Sequence, residues 1–142
     1  MNGIILDTYV ISEPRRPQPS SEVRAWFEAQ EVERLYLTAT VIGELSLGIE
    51  RIPRGRRRVD LERWLEALIN EDFAGRILSF DAAAALIYGK LVADAMAHGR
   101  QPTVGDAQIA AVARRDGMTI ATRDVAGFEP LAVTVVDPWR GA

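Results

Sequence analysis

Gly3-Ile4-Ile5-Leu6-Asp7-Thr8 is an apolar run closed by a lone carboxylate, and it reads as a buried central strand with an acid at its tip. Open α/β sheets place their ligands at the carboxyl ends of such strands. A functional Asp7 therefore calls for further acids arriving from elsewhere in the chain. The candidates are Glu44, Asp106 and Asp124.

Outward from this strand, Glu13-Pro14-Arg15-Arg16-Pro17-Gln18-Pro19 holds three prolines, which deny the backbone both helix and ladder pairing. A loop is expected there. Ser20-Ser21-Glu22 opens an amphipathic helix through Gln30, with Val23, Trp26 and Phe27 on one face. Leu35 to Thr38 reads as a second strand, and Thr40 as the N-cap of a helix through Ile52. Pro53-Arg54-Gly55 breaks that helix, and Arg56 to Phe73 is expected as another, with Leu61, Trp64, Leu65 and Leu68 as its stripe. Ile77 to Phe80 is a third strand, after which Asp81 caps an alanine-rich helix to about His98, ended by Gly99. Pro102-Thr103 starts a helix through Arg115, closed by Asp116-Gly117, and Met118 to Thr122 and Val133 to Val136 are the last strands. Strand alternating with helix throughout predicts a parallel sheet covered by helices.

Composition narrows the chemistry. A chain of 142 residues with 48% hydrophobic and 26% charged content matches one ordinary globular domain, excluding disordered and fibrous classes. Its net charge of -3 supplies no basic field for nucleic acid, so a polyanion must be met by a local patch or through cations. The absence of cysteine excludes disulfides, thiol catalysis and Cys-ligated zinc, and the single His98 excludes a multi-histidine metal site. No stretch has the apolar length that spans a bilayer, and no basic segment precedes a cleavage site, so neither a membrane nor a secreted protein is expected. The expected compartment is cytoplasmic. Oxygen chemistry remains.

Each acid also has a purely structural reading. Asp7, between a strand and a helix, is a natural N-cap. Glu44 lies at the margin of an expected stripe formed by Val41, Leu45, Gly48 and Ile52, where it either meets a burial penalty or tilts to solvent. Gly48 leaves room beside it. Thr103-x-x-Asp106 resembles a capping box with Asp in place of Glu or Gln. Asp124 follows its strand directly, as Asp7 does, and otherwise reads as a turn aspartate. Two strand tips and two helices each delivering one acid form a pattern, and clustered carboxylates repel unless a cation compensates them. Hard oxygen donors without thiolate or imidazole select Mg²⁺ or Mn²⁺, ions that activate water for phosphoryl displacement.

Ile5-Leu6-Asp7-Thr8, Glu44-Leu45-x-x-Gly48-Ile49, Gly105-Asp106-Ala107-Gln108-Ile109-Ala110-Ala111 and Ala121-Thr122-Arg123-Asp124 together resemble a PIN domain. The order and spacing are similar to the VapC and FitB-type toxins of bacterial toxin–antitoxin pairs. The likeness extends through Phe80-Asp81, Tyr88-Gly89 and Asp137-Pro138-Trp139. It implies an α/β, PIN-like three-layer fold, a central mostly parallel sheet flanked by helices, as a single domain over residues 1–142. It also implies a divalent-metal endoribonuclease using Mg²⁺ or Mn²⁺, usually a homodimer, restrained by a VapB-like antitoxin whose tail inserts near the acids. By position, Asp7, Glu44, Asp106 and Asp124 are the acidic quartet of catalysis and metal binding. Asp7 and Asp106 are direct ligands, Glu44 and Asp124 complete the site or orient water, and the Thr8 hydroxyl supports it.

Two positions depart from the family pattern: Tyr9 stands where Asn is common, and Gly127 where many relatives carry a carboxylate. They keep open a second reading, a PIN-fold module that only binds RNA or an antitoxin. A phosphatase using Asp7 as nucleophile is disfavoured, because Tyr9 takes the place of the second acid of an Asp-x-Asp start. Arg51, Arg54, Arg56, Arg57 and Arg58 form a basic run that reads either as an RNA track or as a solvated helix end facing an acidic partner. Trp26 and Trp64 read as packing residues, His98 as a helix-end cation, Asp81 as an N-cap, and Asp60, Glu62 and Glu66 as surface.

Overall fold

A computed structural model describes residues 3–141. Five short strands, β1 (Ile4–Leu6), β2 (Leu35–Thr38), β3 (Ile77–Leu78), β4 (Thr119–Ala121) and β5 (Val135–Val136), form one sheet in the order β3-β2-β1-β4-β5. Every pairing is parallel, where the sequence promised only a mostly parallel sheet. All three residues of β1 are buried although their side chains alternate between faces, so helices cover both sides of the sheet.

Register fixes the site. Ile5 pairs with Tyr36 on one side and Ile120 on the other, and Leu6 pairs with Ala121. The chain first winds from β1 out to β3, then crosses back to place β4 on the opposite side of β1. That reversal makes the carboxyl ends of β1 and β4 the switch point, where parallel sheets open a crevice.

The helices are α1 (Thr8–Ser12), α2 (Ser21–Glu28), α3 (Ala39–Glu50), α4 (Arg56–Ala67), α5 (Ala82–Ala97), α6 (Val104–Asp116) and α7 (Val125–Phe128). Helix α6 is buried from Ile109 through Ala113, because four alanines let it lie close against its neighbours. It starts at the Thr103 cap and ends on Gly117 in the left-handed region, φ 64°. Ser20 and Asp81 cap α2 and α5 as expected, through Val23 N–H at 3.3 Å and Ala84 N–H at 2.9 Å.

Several boundaries differ from expectation. The cap of α3 is Thr38, whose buried hydroxyl accepts Val41 N–H at 3.1 Å; Thr40 instead donates to Gln108 Oε1 at 3.0 Å and ties α3 to α6. The helix expected over 56–73 stops at Ala67 and widens into a π turn over Leu68–Asp72, in which Phe73 N–H reaches Leu68 C=O at 2.9 Å. The extra residue buries both Leu68 and Phe73. Strand β3 ends before Phe80, whose ring packs edge-on against Tyr88 with centroids 5.9 Å apart. The helix expected after Asp7 is the five-residue α1, while the short helix α7 and the 3-10 turn at Glu13–Arg15 were not expected as elements. Among the described residues, no helix is long and apolar enough to cross a membrane.

Candidate active site

Asp7 leaves the end of β1 and caps α1. Its Oδ1 accepts Thr8 N–H at 2.8 Å and its Oδ2 accepts the Thr122 hydroxyl at 2.8 Å. Only 7% of the residue is exposed. Burial raises its pKa, the bonds from Thr122 and Thr8 pull the other way, and the charge of Asp124 adds to the rise. The capping reading thus holds, and the same carboxylate is within electrostatic reach of Asp124 and Asp106.

Glu44 arrives differently from expectation. The inward stripe of α3 is Val41, Leu45 and Ile49, so Glu44 is exposed and bears no burial penalty. It is drawn to the site by Thr8, whose hydroxyl donates to Oε1 at 2.6 Å. A Cβ at Gly105 would stand 2.5 Å from Glu44 Oε2, so the first turn of α6 meets this carboxylate at a glycine.

Asp106 lies half-buried in that first turn, its N–H donating to the Thr103 hydroxyl at 3.1 Å. Its pKa is raised to about 6, first by desolvation and then by the charge of Asp7; Thr103 opposes the rise, and Asp124 and Glu44 add to it. Asp124, at the mouth, caps α7 by accepting Gly127 N–H at 3.1 Å. A Cβ at Gly127 would stand 2.8 Å from Asp106 Oδ2 and nearer still to Asp124 Oδ2. The two carboxylates therefore share the space over Gly127, which a side chain there would take from them.

Thr122 is the member that reading by residue type missed. It is fully buried, and its hydroxyl donates to Asp7 Oδ2 while accepting Asp124 N–H at 3.0 Å. One oxygen so positions the acids of both strand tips. The signal was strand alternation: Thr122 shares the face of Ile120, where an inward hydroxyl needs a polar partner.

The four acids brought together here are oxygen donors only, and among the described residues none of them forms an ion pair. Nor do any three such groups close into a ready metal cage among those residues. Like charges held in mutual reach, with the proton affinities of Asp7 and Asp106 both raised and no Lys or Arg paired with them among the described residues, form a site deficient in positive charge. That donor set fits a hard divalent ion.

The remaining candidates fall elsewhere. His98 ends α5 with Nδ1 2.9 Å from Asp94 C=O, and Arg58 pairs with Glu50 at 2.7 Å and Glu62 at 3.2 Å. Trp26 is buried, and Asp81 pairs with Arg115 at 2.8 Å. A groove of about 1040 Å³ runs from Thr8 and Glu44, past Gly48 and Ile49, to Arg57 and Trp64.

Known proteins share this sequence pattern and fold. The chain is 43% identical to toxin FitB of Neisseria gonorrhoeae over 137 residues, covering 96% of this chain and 99% of FitB. It is 40% identical to VapC ribonuclease Y4jK of Sinorhizobium fredii over 139 residues, covering 98% and 99%. Its fold superimposes on a chain in the structure of FitAB bound to an IR36 DNA fragment with a TM-score of 0.90, at 42% identity, covering 96% of this chain and 95% of that one. The family model described as PIN domain matches residues 4–132. By that match and by relatives alike from end to end, the chain belongs to the PIN domain family, among proteins of the VapC and FitB type.

Proposed function

We propose that this chain is a divalent-metal-dependent endoribonuclease and the toxin component of a bacterial toxin–antitoxin pair, acting in the cytoplasm. The observation that carries the reading is the convergence of Asp7, Glu44, Asp106 and Asp124 without a Lys or Arg partner among the described residues, with Asp106 raised to about 6. The names of the relatives, toxin FitB and VapC ribonuclease, point to the same chemistry and to RNA as substrate.

Asp7 and Asp106 are the direct ligands in this reading, with Glu44 and Asp124 completing the site or orienting water. Held there, Mg²⁺ or Mn²⁺ supplies water activation and charge neutralisation at the scissile phosphate. The chain's own part is preorganisation. Thr122 fixes Asp7, Thr8 fixes Glu44, and Gly127 N–H fixes Asp124. Gly127 also bears on the reading of a module without chemistry: Asp124 Oδ2 lies in the space that a side chain at 127 would take, so a carboxylate from three residues earlier stands there.

The groove beginning at Glu44 has an apolar floor including Ile49 and Trp64 and a rim carrying Arg15, Arg16, Arg56 and Arg57. It suits an extended antitoxin segment ending near the acids, and a homodimer is the expected assembly. The direct test is incubation of the pure protein with a mixed RNA pool, with Mg²⁺ and then with EDTA. Cleavage with Mg²⁺ that stops in EDTA is expected. Cleavage that persists in EDTA rejects the metal mechanism, and no cleavage of any RNA favours the binding module.

A further inference from the structure

We infer that Arg123, laid on the ring of Trp139, is a phosphate-binding residue that holds single-stranded RNA beside the acids; the choice of RNA rests on the ribonuclease reading above. Arg123 is the residue between Thr122, which holds Asp7, and Asp124, which caps α7. Its backbone is therefore fixed on both sides. It lies in the bend between β4 and α7, one residue from Asp124, so the phosphate it meets is a neighbour of the one over the acids.

The guanidinium carbon stands 4.9 Å from the centre of the Trp139 ring. Arg76 makes a like contact with Phe73, also at 4.9 Å, but spends its N–H groups on the carbonyls of Val32, Leu35 and Asp72. Its role is to tie the chain together. Arg123 is exposed, and among the described residues no hydrogen bond or ion pair engages its guanidinium. Asp137, the nearest acid in sequence to the ring, is already committed to Trp139 N–H at 2.9 Å and to Arg140 at 3.5 Å.

Stacking uses the flat faces of a guanidinium and leaves its edge donors free, and that edge matches a phosphate. The ring also restricts the side chain before any ligand arrives, so less freedom is lost on binding. Electrostatics supply the need. With a net charge of -3 and four acids at the crevice, a polyanion is drawn in only where cations stand at the rim, and Arg123 adds one beside Asp124, away from the arginines of the groove.

The test reads binding and cleavage separately on the full-length chain, with a fluorescein-labelled single-stranded RNA pool as probe. Arg123→Ala is expected to weaken binding about tenfold, the loss of one charge-assisted contact. It should also reduce the slope of log affinity against log salt by about 0.7, the share of one phosphate. Arg123→Lys should keep the slope and recover only part of the affinity, because an ammonium lacks the flat fork. Affinity and slope unchanged in Arg123→Ala, with a lowered melting temperature, would make the stack purely structural and overturn the proposal. A chain that binds through Arg123 yet does not cut refutes the nuclease and keeps the phosphate contact. One that cuts with unchanged Arg123→Ala binding does the reverse, and a chain that binds no RNA overturns both.

Discussion

Asp7→Asn is expected to reduce RNA cleavage at least about a hundredfold while leaving the metal-free protein as stable as before. The size follows because loss of groups that merely orient metal ligands already costs about 10- to 100-fold, and Asp7 is read as a ligand itself. Stability is spared for a separate reason. Asn caps a helix as well as Asp does, so the bond from Thr8 N–H survives, while the amide nitrogen facing Thr122 donates to its hydroxyl where the carboxylate accepted, a change offset by the lost burial penalty. Burial has already raised the pKa of Asp7, which means that the fold disfavours its charged form at neutral pH; a neutral amide removes that penalty. Thermal melts in EDTA and cleavage rates in Mg²⁺ check the two halves, and growth arrest on expression in a bacterium reports the same loss. Equal cleavage by the variant counts against the site, and a lowered melting temperature would attribute lost activity to unfolding.

Mg²⁺ or Mn²⁺ is expected to raise the melting temperature by several degrees near pH 7 and by clearly less near pH 5. At a free-ion concentration a hundred times Kd, binding to the native state alone stabilises by about 2.7 kcal/mol. The pH dependence comes from Asp106. Its folded-state pKa, about 6, lies above the ordinary 3.8, so its contribution to metal-free stability is fully present below 3.8 and is lost as pH rises through about 6. Metal binding has the opposite sign, since the cation competes with that proton and binds best above about pH 6. Calorimetric melts with metal and with EDTA across that range measure the difference. A metal shift equal at both pH values, or absent at both, contradicts a shared site that includes Asp106.

The fold was legible because its signals were local. Ile4 to Leu6 announced a buried strand, and the alternation of strand and helix announced a parallel sheet. What failed was set by contacts distant in sequence. Thr38 rather than Thr40 caps α3, since both hydroxyls suit a cap and the choice falls to the bond between Thr40 and Gln108, 68 residues apart. The π turn after Ala67 follows from burying Leu68 and Phe73 together, which periodicity over 56–73 did not show.

At the site, Asp7, Asp106 and Asp124 were singled out by their places at strand tips and a helix start, and Glu44 by its place on the margin of a helix stripe. The reason given for Glu44 was wrong, because the bond from Thr8 brings it in and no burial penalty applies. Thr122 was passed over because an inward hydroxyl gains meaning only when the residue it faces, 115 positions away, is known. Gly127, read as a missing carboxylate, is the space two other carboxylates occupy.

The most direct measurement is diffraction from crystals grown with manganese near pH 7.5, collected where manganese scatters anomalously. The expected result is a strong anomalous peak within coordination distance of Asp7 and Asp106, bordered by Glu44 and Asp124, and absent from Asp7→Asn crystals. Saturating manganese with no peak among these carboxylates, or with its peaks only on other surfaces, would contradict the shared cation on which the proposed chemistry depends.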